Sequence, residues 1–560
     1  METETTRSDP TGDVLEKEKD LESPPSEESE TSKLEYPPVW RQAAIVVGLL
    51  LGIFLAGLDI NIIATAIPAI TNDFNSLSES GWYGSAFFLA YAAFQSIWGK
   101  AYKYFDMKYV FLSAMVVFEI GCLVGALSPS SGALIVGRII QGGGAAGILL
   151  GCYSIANFVS PPDKVPIIIG MIGTIFSVSS VIGPVIGGVF TSAPHLTWRW
   201  CFYINLPIGG VPIAIIFFFF KTPPQAKLAK DPIREIALSF DPLGVVLFAG
   251  ALVSYILAFT WGGTVKAFNS STIIGLIVAW IILSVLFVAN EIWQGERALV
   301  LVRLLKQRDM WANAIYLFFF YGAYFSVVYN IPTYFQAIAG LTPEGSGIRT
   351  IPIIGSTSVF SFLGSVAIGK YGKYTLFEIL GAAISAVAGG LIYTLDVDTS
   401  LGKQIGYQIL LGLGIGWIVQ IPPIVAGAVN KNADKATGLA AMLVVQFYSA
   451  SLAITASSAI TNNILIQKVP IYAPGTTAAE VLSIGPYDLE SHFSGATLLG
   501  IKKAYIDGLR GSWALSIGLW GVAFFCAFLS KWPGQIVPAQ EDTKSDGEGD
   551  KQSTVVLAAH

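Results

Sequence analysis

Charge is what this sequence has least of. Only 13% of its 560 residues are Asp, Glu, Lys or Arg, where a soluble domain carries roughly a quarter. That scarcity excludes an ordinary water-soluble body, and a mean hydropathy of +0.62 assigns the chain to a membrane. Cysteine is scarce as well. The four residues Cys122, Cys152, Cys201 and Cys526 stand far apart without a C-x-x-C pair, which excludes a disulfide framework and a zinc site. The three histidines, His195, His492 and His560, fall in no motif, so imidazole catalysis and a histidine proton relay lack support. A net charge of -5, with the basic residues scattered through short loops, argues against a nucleic-acid partner.

Long apolar runs are abundant. Each is about twenty residues or more, enough to cross a ~30 Å hydrocarbon layer as a helix. They lie near 43–70, 81–99, 109–128, 132–156, 165–192, 202–220, 243–262, 272–290, 311–337, 347–369, 374–394, 404–428, 437–465 and 512–531, fourteen in all. Loop charge orients them, because short cytosolic loops collect Lys and Arg. With the amino terminus inside, alternate loops gather Lys100, Lys103, Lys108, Lys164, Lys221, Lys227, Lys230, Arg234, Arg297, Arg303, Lys306, Arg308, Lys370, Lys373, Lys431 and Lys435. The short outer loops hold Arg199, Lys266 and Lys403. Both termini are therefore expected in the cytosol. The polar stretch before the first span cannot bury enough surface to fold, and it lacks the apolar region of a signal peptide. Asn269-Ser-Ser271 is an N-glycosylation sequon on the outer side. An amphipathic piece near Gly500–Leu509 is expected inside a long outer loop, 466–511.

An ionisable side chain at mid-bilayer costs on the order of 3 kcal/mol, so each needs a partner or a purpose. Asp59 lies deep in the first span with Asn61 and Thr65 near it, a set that could face one polar seam. Glu119 interrupts the third span, Arg138 opens the fourth three residues before Gln141, and Arg349 starts the tenth. One reading is structural: ion pairs that join helices, or arginines that snorkel to an interface. It is the better one for Glu119 and Arg349. For Asp59 and Arg138 the small residues alongside favour function, a carboxyl able to take a proton balanced by a cation. Gly142-Gly-Gly144 is no phosphate loop, since no strand precedes it and no Lys-Ser/Thr follows. Transport here would draw on an ion gradient. In the fifth span Gly183 and Gly187 fall one turn apart, so a neighbouring helix can approach closely, and Pro184 bends the span. Trp198-Arg199-Trp200 then reads as an interfacial anchor. Aromatic residues crowd spans two and nine, from Trp82, Tyr83, Tyr91, Phe94 and Trp98 to Tyr321, Tyr324, Tyr329, Tyr334 and Phe335, followed by Gln336. Most suit packing or the membrane belt, and a minority facing inward would line a cavity for a bulky solute.

These residues resemble the major facilitator superfamily, in its fourteen-span drug:proton antiporter branch as found among fungal multidrug and toxin efflux pumps. Leu58-Asp59 through Pro68 resembles that branch's first-span motif. Arg138-x-x-Gln141-Gly-x-Gly resembles the fourth-span motif whose arginine is associated with proton transfer. Gly183-Pro184-x-x-Gly187-Gly188 resembles the fifth-span antiporter motif, and Trp198 to Gly209 is close to the fungal pump signature. Tyr334-Phe-Gln336 and Ser346-Gly-Ile-Arg349 match the same group in the second half. Departures from the family pattern are Asn61 for threonine, Ser179 for glycine, and Lys103 where the loop motif opened by Gly99-Lys100 has an aspartate, with Asp106 as the substitute for that latch.

The resemblance implies an all-α membrane protein with a tail over 1–42, a six-helix bundle over 43–220, a linker with two extra spans over 221–309, a second bundle over 310–531 and a tail over 532–560. It implies a non-enzymatic, cofactor-free monomer that exports a hydrophobic small molecule in exchange for protons. Asp59 and Arg138 would couple protons, while Asn61, Gln141, Tyr334, Gln336 and Arg349 would line the substrate path. The cell membrane is the expected location, with a vacuolar or vesicle membrane as the alternative. A proton-coupled siderophore-iron importer of the same fold and a non-transporting membrane sensor are the rival readings.

Overall fold

In lipid every backbone N–H and C=O must find its partner inside the chain, so apolar runs of this length fold as helices. The computed structural model describes Glu2 and residues 36–74, 80–193, 195–223 and 232–531. The two expected tails otherwise fall outside the described residues.

The long helices are α1 (Val39–Phe74), α2 (Ser80–Tyr104), α3 (Met107–Ala126), α4 (Ser131–Val159), α5 (Val165–Ser192) and α6 (Asn205–Phe219). There follow α7 (Pro242–Trp261), α8 (Ser271–Gln294), α9 (Arg308–Ala337), α10 (Ile351–Tyr371) and α11 (Thr375–Tyr393). The last three are α12 (Leu401–Gly416, resuming as Ile421–Val429), α13 (Lys435–Tyr472) and α14 (Gly495–Ala527). Thirteen stretches among the described residues are long and apolar enough to cross a membrane. The remaining expected span, α2, is a 25-residue helix whose apolar character is diluted by Gln95, Ser96, Lys100 and Lys103. It packs between α4 and α13.

Two boundaries differ from the sequence reading. The segment near Gly500–Leu509 is the first part of α14, and the preceding connection is reduced to residues 473–494 with the short helices Ala478–Ile484 and Leu489–His492. The reason is packing: Gly500 leaves room for the Tyr472 carbonyl and Gly508 for that of Thr461, so α13 and α14 stay in contact past the apolar window. Helix α12 breaks around Gln420 because Pro422 and Pro423 follow at once and supply no backbone donor.

Helices α1–α6 pack among themselves, as do α9–α14, and the two groups meet along α5–α10 and α2–α13. The extra pair α7–α8 joins at the α2–α13 seam through α7, while only 6% of the apolar window of α8 is buried. Asp241, in the left-handed region at φ 39°, ties this pair together. Its carboxylate accepts from Gly244 N at the start of α7 and, at 2.7 Å, from Asn290 Nδ2 of α8.

Small residues set the helix separations. A Cβ on Gly187 would run into the Ile62 carbonyl and Thr65 Oγ1, and one on Gly183 would lie 3.0 Å from Ile62 N. Helices α1 and α5 therefore touch backbone to backbone. Ser179, the departure from glycine, fits because its hydroxyl lies against Gly57. Gly142 and Gly144 do the same job for α4, against Phe87 of α2 and Phe118 of α3, a packing role in place of anion binding.

Candidate functional site

Two buried charges of the first helix group meet each other. Asp59 and Arg138 are both almost wholly buried, and Arg138 NH1 donates to Asp59 Oδ2 at 2.6 Å. Further donors and acceptors from four residues complete the cluster. Gln141 Nε2 and Asn205 Nδ2 donate to Asp59 Oδ1 at 3.3 and 3.1 Å, and Arg138 NH1 also reaches Gln141 Oε1 at 3.0 Å. Arg138 Nε donates to the Tyr83 carbonyl at 2.9 Å, and the guanidinium lies 4.5 Å over the Phe87 ring. Cys122 Sγ accepts from Gln141 and Asn205. A carboxylate with three donors and a guanidinium with three neighbours is a satisfied pair, stable only while both keep opposite charges.

Each member is placed by a different helix: Asp59 by α1, Tyr83 and Phe87 by α2, Cys122 by α3, Arg138 and Gln141 by α4, Asn205 at the start of α6. Residues 138 and 141 share a face because they are three apart. Residues 59 and 61 cannot, since two steps of about 100° turn the chain by roughly 200°. The structure bears this out against the single polar seam expected for Asp59, Asn61 and Thr65. Asn61 instead donates to the Gly57 carbonyl at 2.8 Å and to Ser180 Oγ of α5 at 3.1 Å, and Thr65 turns toward Gly187.

The second-half candidates sit elsewhere. Tyr334 Oη donates to the Asp396 carbonyl at 2.9 Å and its ring packs on Trp513, while Gln336 Nε2 donates to Ser346 Oγ at 3.0 Å. Arg349 ends a short helix, Pro343–Arg349, whose Gly347 faces Pro184 of α5. Gly188 lies on α5 with open space where a Cβ would go. None of these touches the Asp59 cluster.

Trp198-Arg199-Trp200 divides its work. Trp198 is buried and donates through Nε1 to Asp73 Oδ2 at 3.1 Å, and Arg199 stacks on it at 4.3 Å while pairing with the same carboxylate at 3.0 Å. These contacts hold the Asp73 carboxyl below its usual range. Trp200 alone of the two rings lies exposed.

At the face carrying the α2–α3 turn, Gly99 lies close against Ala440 of α13, and Lys103 pairs with Asp434 at 3.2 Å, across the two helix groups. Asp434 also accepts from Arg303 at 3.0 Å, Arg303 pairs with Glu296 at 2.8 Å, and Lys100 Nζ donates to the Glu296 carbonyl at 3.1 Å. Asp106 is not the latch. Its carboxylate caps α3 by accepting from Lys108 N and from Thr222 Oγ1. The loop motif thus reverses its polarity, with the lysine on α2 and the acid at the start of α13. A cavity of about 300 Å³ opens on this face between the groups, lined by Asn157, Asp163, Ile368, Ile424, Asn430 and Lys435 among others.

Midway along the seam the facing residues are aromatic. Tyr91 of α2 meets Phe447 of α13 with ring centroids 4.3 Å apart, and Phe447 leads to Phe325 and Tyr324 of α9. Tyr153 Oη donates to Gln420 Oε1 at 3.1 Å across the same seam. Tyr91 Oη and both amide atoms of Gln95 are buried without a hydrogen-bond partner among the described residues. Asn205, Asp434, Phe325 and Phe447 are the parts that sequence reasoning missed, while Tyr91 and Tyr324 were among the aromatic residues it singled out. Asn205 was inside the signature stretch, but no local pattern links it to Asp59, 146 residues away.

The chain matches known proteins over most of its length. The family model of the Major Facilitator Superfamily matches residues 49–456. "MFS-type transporter thnB" of Trichoderma harzianum is 42% identical over 490 residues, 88% of this chain and 84% of that protein. "Efflux pump notK" of Aspergillus sp. (strain MF297-2) is 36% identical, covering 98% of this chain and 97% of that one, and the "Dehydrocurvularin exporter" of Aspergillus terreus is 36% identical over 93% and 89%. Among solved structures, the human organic anion transporter MFSD10 superposes with a TM-score of 0.56 at 14% identity, covering 88% of this chain and 100% of that chain. With the helix packing, the buried Asp59–Arg138 pair and these matches in place, the chain belongs to the Major Facilitator Superfamily.

Proposed function

We propose that the protein is a proton-coupled exporter of a hydrophobic small molecule, a secondary metabolite, toxin or drug, with no cofactor beyond the proton gradient. The observation that carries this reading is the Asp59–Arg138 pair, a protonatable acid held in the membrane by a single cation. Relatives named efflux pump and exporter support the outward direction over siderophore import and over a sensor role. Protonation of Asp59 removes its charge, releases Arg138 and so favours one packing of α1, α4 and α6 over another; a ligand or proton shifts access only through such a difference between states.

In this reading the basic-loop face is cytosolic, and the Lys103–Asp434–Arg303 contacts hold it shut. Substrate enters from the cytosol or inner leaflet and meets Tyr91, Phe447, Phe325 and Tyr324, whose rings suit a flat apolar solute, with Gln95 offering an amide. Gly170, whose open face meets Ser365 and Phe362 of α10, lets α5 lean against α10 during rocking, while Pro184 bends it. The membrane is the cell membrane, both tails are cytosolic, and the protein works as a monomer.

The test is gene deletion with untargeted comparison of secreted and retained metabolites, then complementation. Wild type restores secretion of the retained compound; Asp59→Asn, localised like wild type, does not. Full proton-driven secretion by Asp59→Asn refutes the proposal.

A further inference from the structure

Beside the Asp59–Arg138 pair, and taking no part in it, stands a half-buried acid whose carboxyl is enclosed. Glu119 lies on α3, three residues before Cys122, and both its carboxyl oxygens are enclosed without a hydrogen-bond partner among the described residues. Its Oε1 presses on Gly209 of α6 where a Cβ would stand, with Leu55 of α1 beside it. Asn205 and Gly209 are one turn apart, so one face of α6 meets Asp59 through the first and Glu119 through the second.

The groups facing this acid can be named. Asp59 on α1 is joined to it through α6, where Asn205 donates to Asp59 and Gly209, one turn on, meets the Glu119 carboxyl. Arg138 on α4 points its donors at Asp59, Gln141 and the Tyr83 carbonyl, and none at Glu119. Cys122, on the same helix, accepts from Gln141 and Asn205, and the carbonyl of Cys201, just before α6, also accepts from Asn205. An ionised carboxylate shut away from water without a donor is strongly disfavoured. One guanidinium neutralises one acid, and here it is committed to Asp59.

We propose that Glu119 is a second proton-binding carboxyl of the coupling site, holding the proton while Asp59 is ionised against Arg138. The two acids then work in exchange. When Asp59 takes up a proton its grip on Arg138 is lost, and the freed guanidinium favours an ionised Glu119, whose proton passes to water. One proton is gained, one is lost, and the net charge of the three groups stays at zero. This rests on the proton-coupled reading of Asp59 and Arg138.

Infrared spectroscopy of the purified protein in detergent, in H2O and in D2O at neutral pH, tests it without any substrate by reading the C=O stretch of protonated carboxyls. Glu119→Gln is expected to remove one carboxyl's share of that band, leaving the contributions of other buried acids such as Glu378. Asp59→Asn is expected to weaken the same component, because Arg138 loses its partner and turns to Glu119. If Glu119→Gln does not accumulate, Glu119→Asp serves in its place and shifts the component by drawing the acid back from Gly209. A band unchanged in the Glu119 variants overturns the proposal, and so does an Asp59→Asn band as strong as wild type. If instead the infrared results hold while Asp59→Asn still exports on a proton gradient, the export reading falls and the proton site stands.

Discussion

Replacing Asp59 by asparagine keeps the size of the side chain and deletes its charge. Arg138 is then left at 1% exposure with neutral acceptors at hydrogen-bond distance: Gln141 Oε1 at 3.0 Å and the Tyr83 carbonyl at 2.9 Å. These do not neutralise the guanidinium, and turning it to Glu119 restores a counter-charge only by ionising an enclosed carboxyl and giving up both contacts. At an effective dielectric of about 20, opposite unit charges about 4 Å apart attract by roughly 4 kcal/mol. Breaking a buried pair by removing one partner costs about 3–5 kcal/mol in systems where it has been measured. The two routes agree, so Asp59→Asn should lose roughly 3 kcal/mol of stability. The double variant Asp59→Asn/Arg138→Gln should recover most of that loss, since no buried charge then remains. The protein carries its own reporter: all four cysteines are buried and react with a thiol-specific fluorophore only on unfolding. Melting curves read this way should rank wild type above the double variant and the double variant above Asp59→Asn. A single variant that melts with wild type, or a double variant that melts below the single one, refutes the reasoning.

Other outcomes follow from the same geometry. Gly187→Leu drives a side chain into the Ile62 carbonyl and Thr65 and should cost about 1–3 kcal/mol by overpacking, read as a lower melting temperature, whereas Gly188→Ala, where space is open, should be neutral. Charge reversal by Lys103→Asp should break the contact with Asp434 and raise labelling, from the basic-loop face, of a Tyr91→Cys probe buried midway along the seam; adding Asp434→Lys should restore protection in part, with Arg303 left facing a like charge. Asn269→Cys places a thiol in the exposed α7–α8 connection, so an impermeant maleimide added to intact cells should label it and not the wild type. Labelling only after permeabilisation would invert the orientation drawn from the loop charges. Gly209→Ala should displace the Glu119 carboxyl and lower melting temperature by more than Gly210→Ala, where nothing lies within reach of a Cβ.

The helices were readable because a bilayer leaves a chain no other way to pair its backbone, and each span announces itself by length. Asp59 and Arg138 were readable for a related reason, that buried charges in lipid require partners, and here each is the other's. What stayed hidden depends on distance along the chain and on angle around a helix. Lys103 finds its acid 331 residues away, where Asp106, three residues off, looked sufficient; Asp106 was already claimed by the α3 amino terminus. The shared seam for Asp59 and Asn61 failed on helical periodicity, and the α14 start was misplaced because glycines at 500 and 508 carry a helix beyond its apolar window.

The backbone contact between α1 and α5 has a mechanical sequel. Helix α5 is the strip along which the first group of helices meets α10 of the second, and Gly183 and Gly187 leave no cushion of side chains between it and α1. A tilt of α5 cannot be absorbed by rotamers and must be passed on to α1 as a rigid stroke. Asp59 rides on α1, so the aperture and the acid share one lever: whatever swings the wall also pulls at the guanidinium's counter-ion.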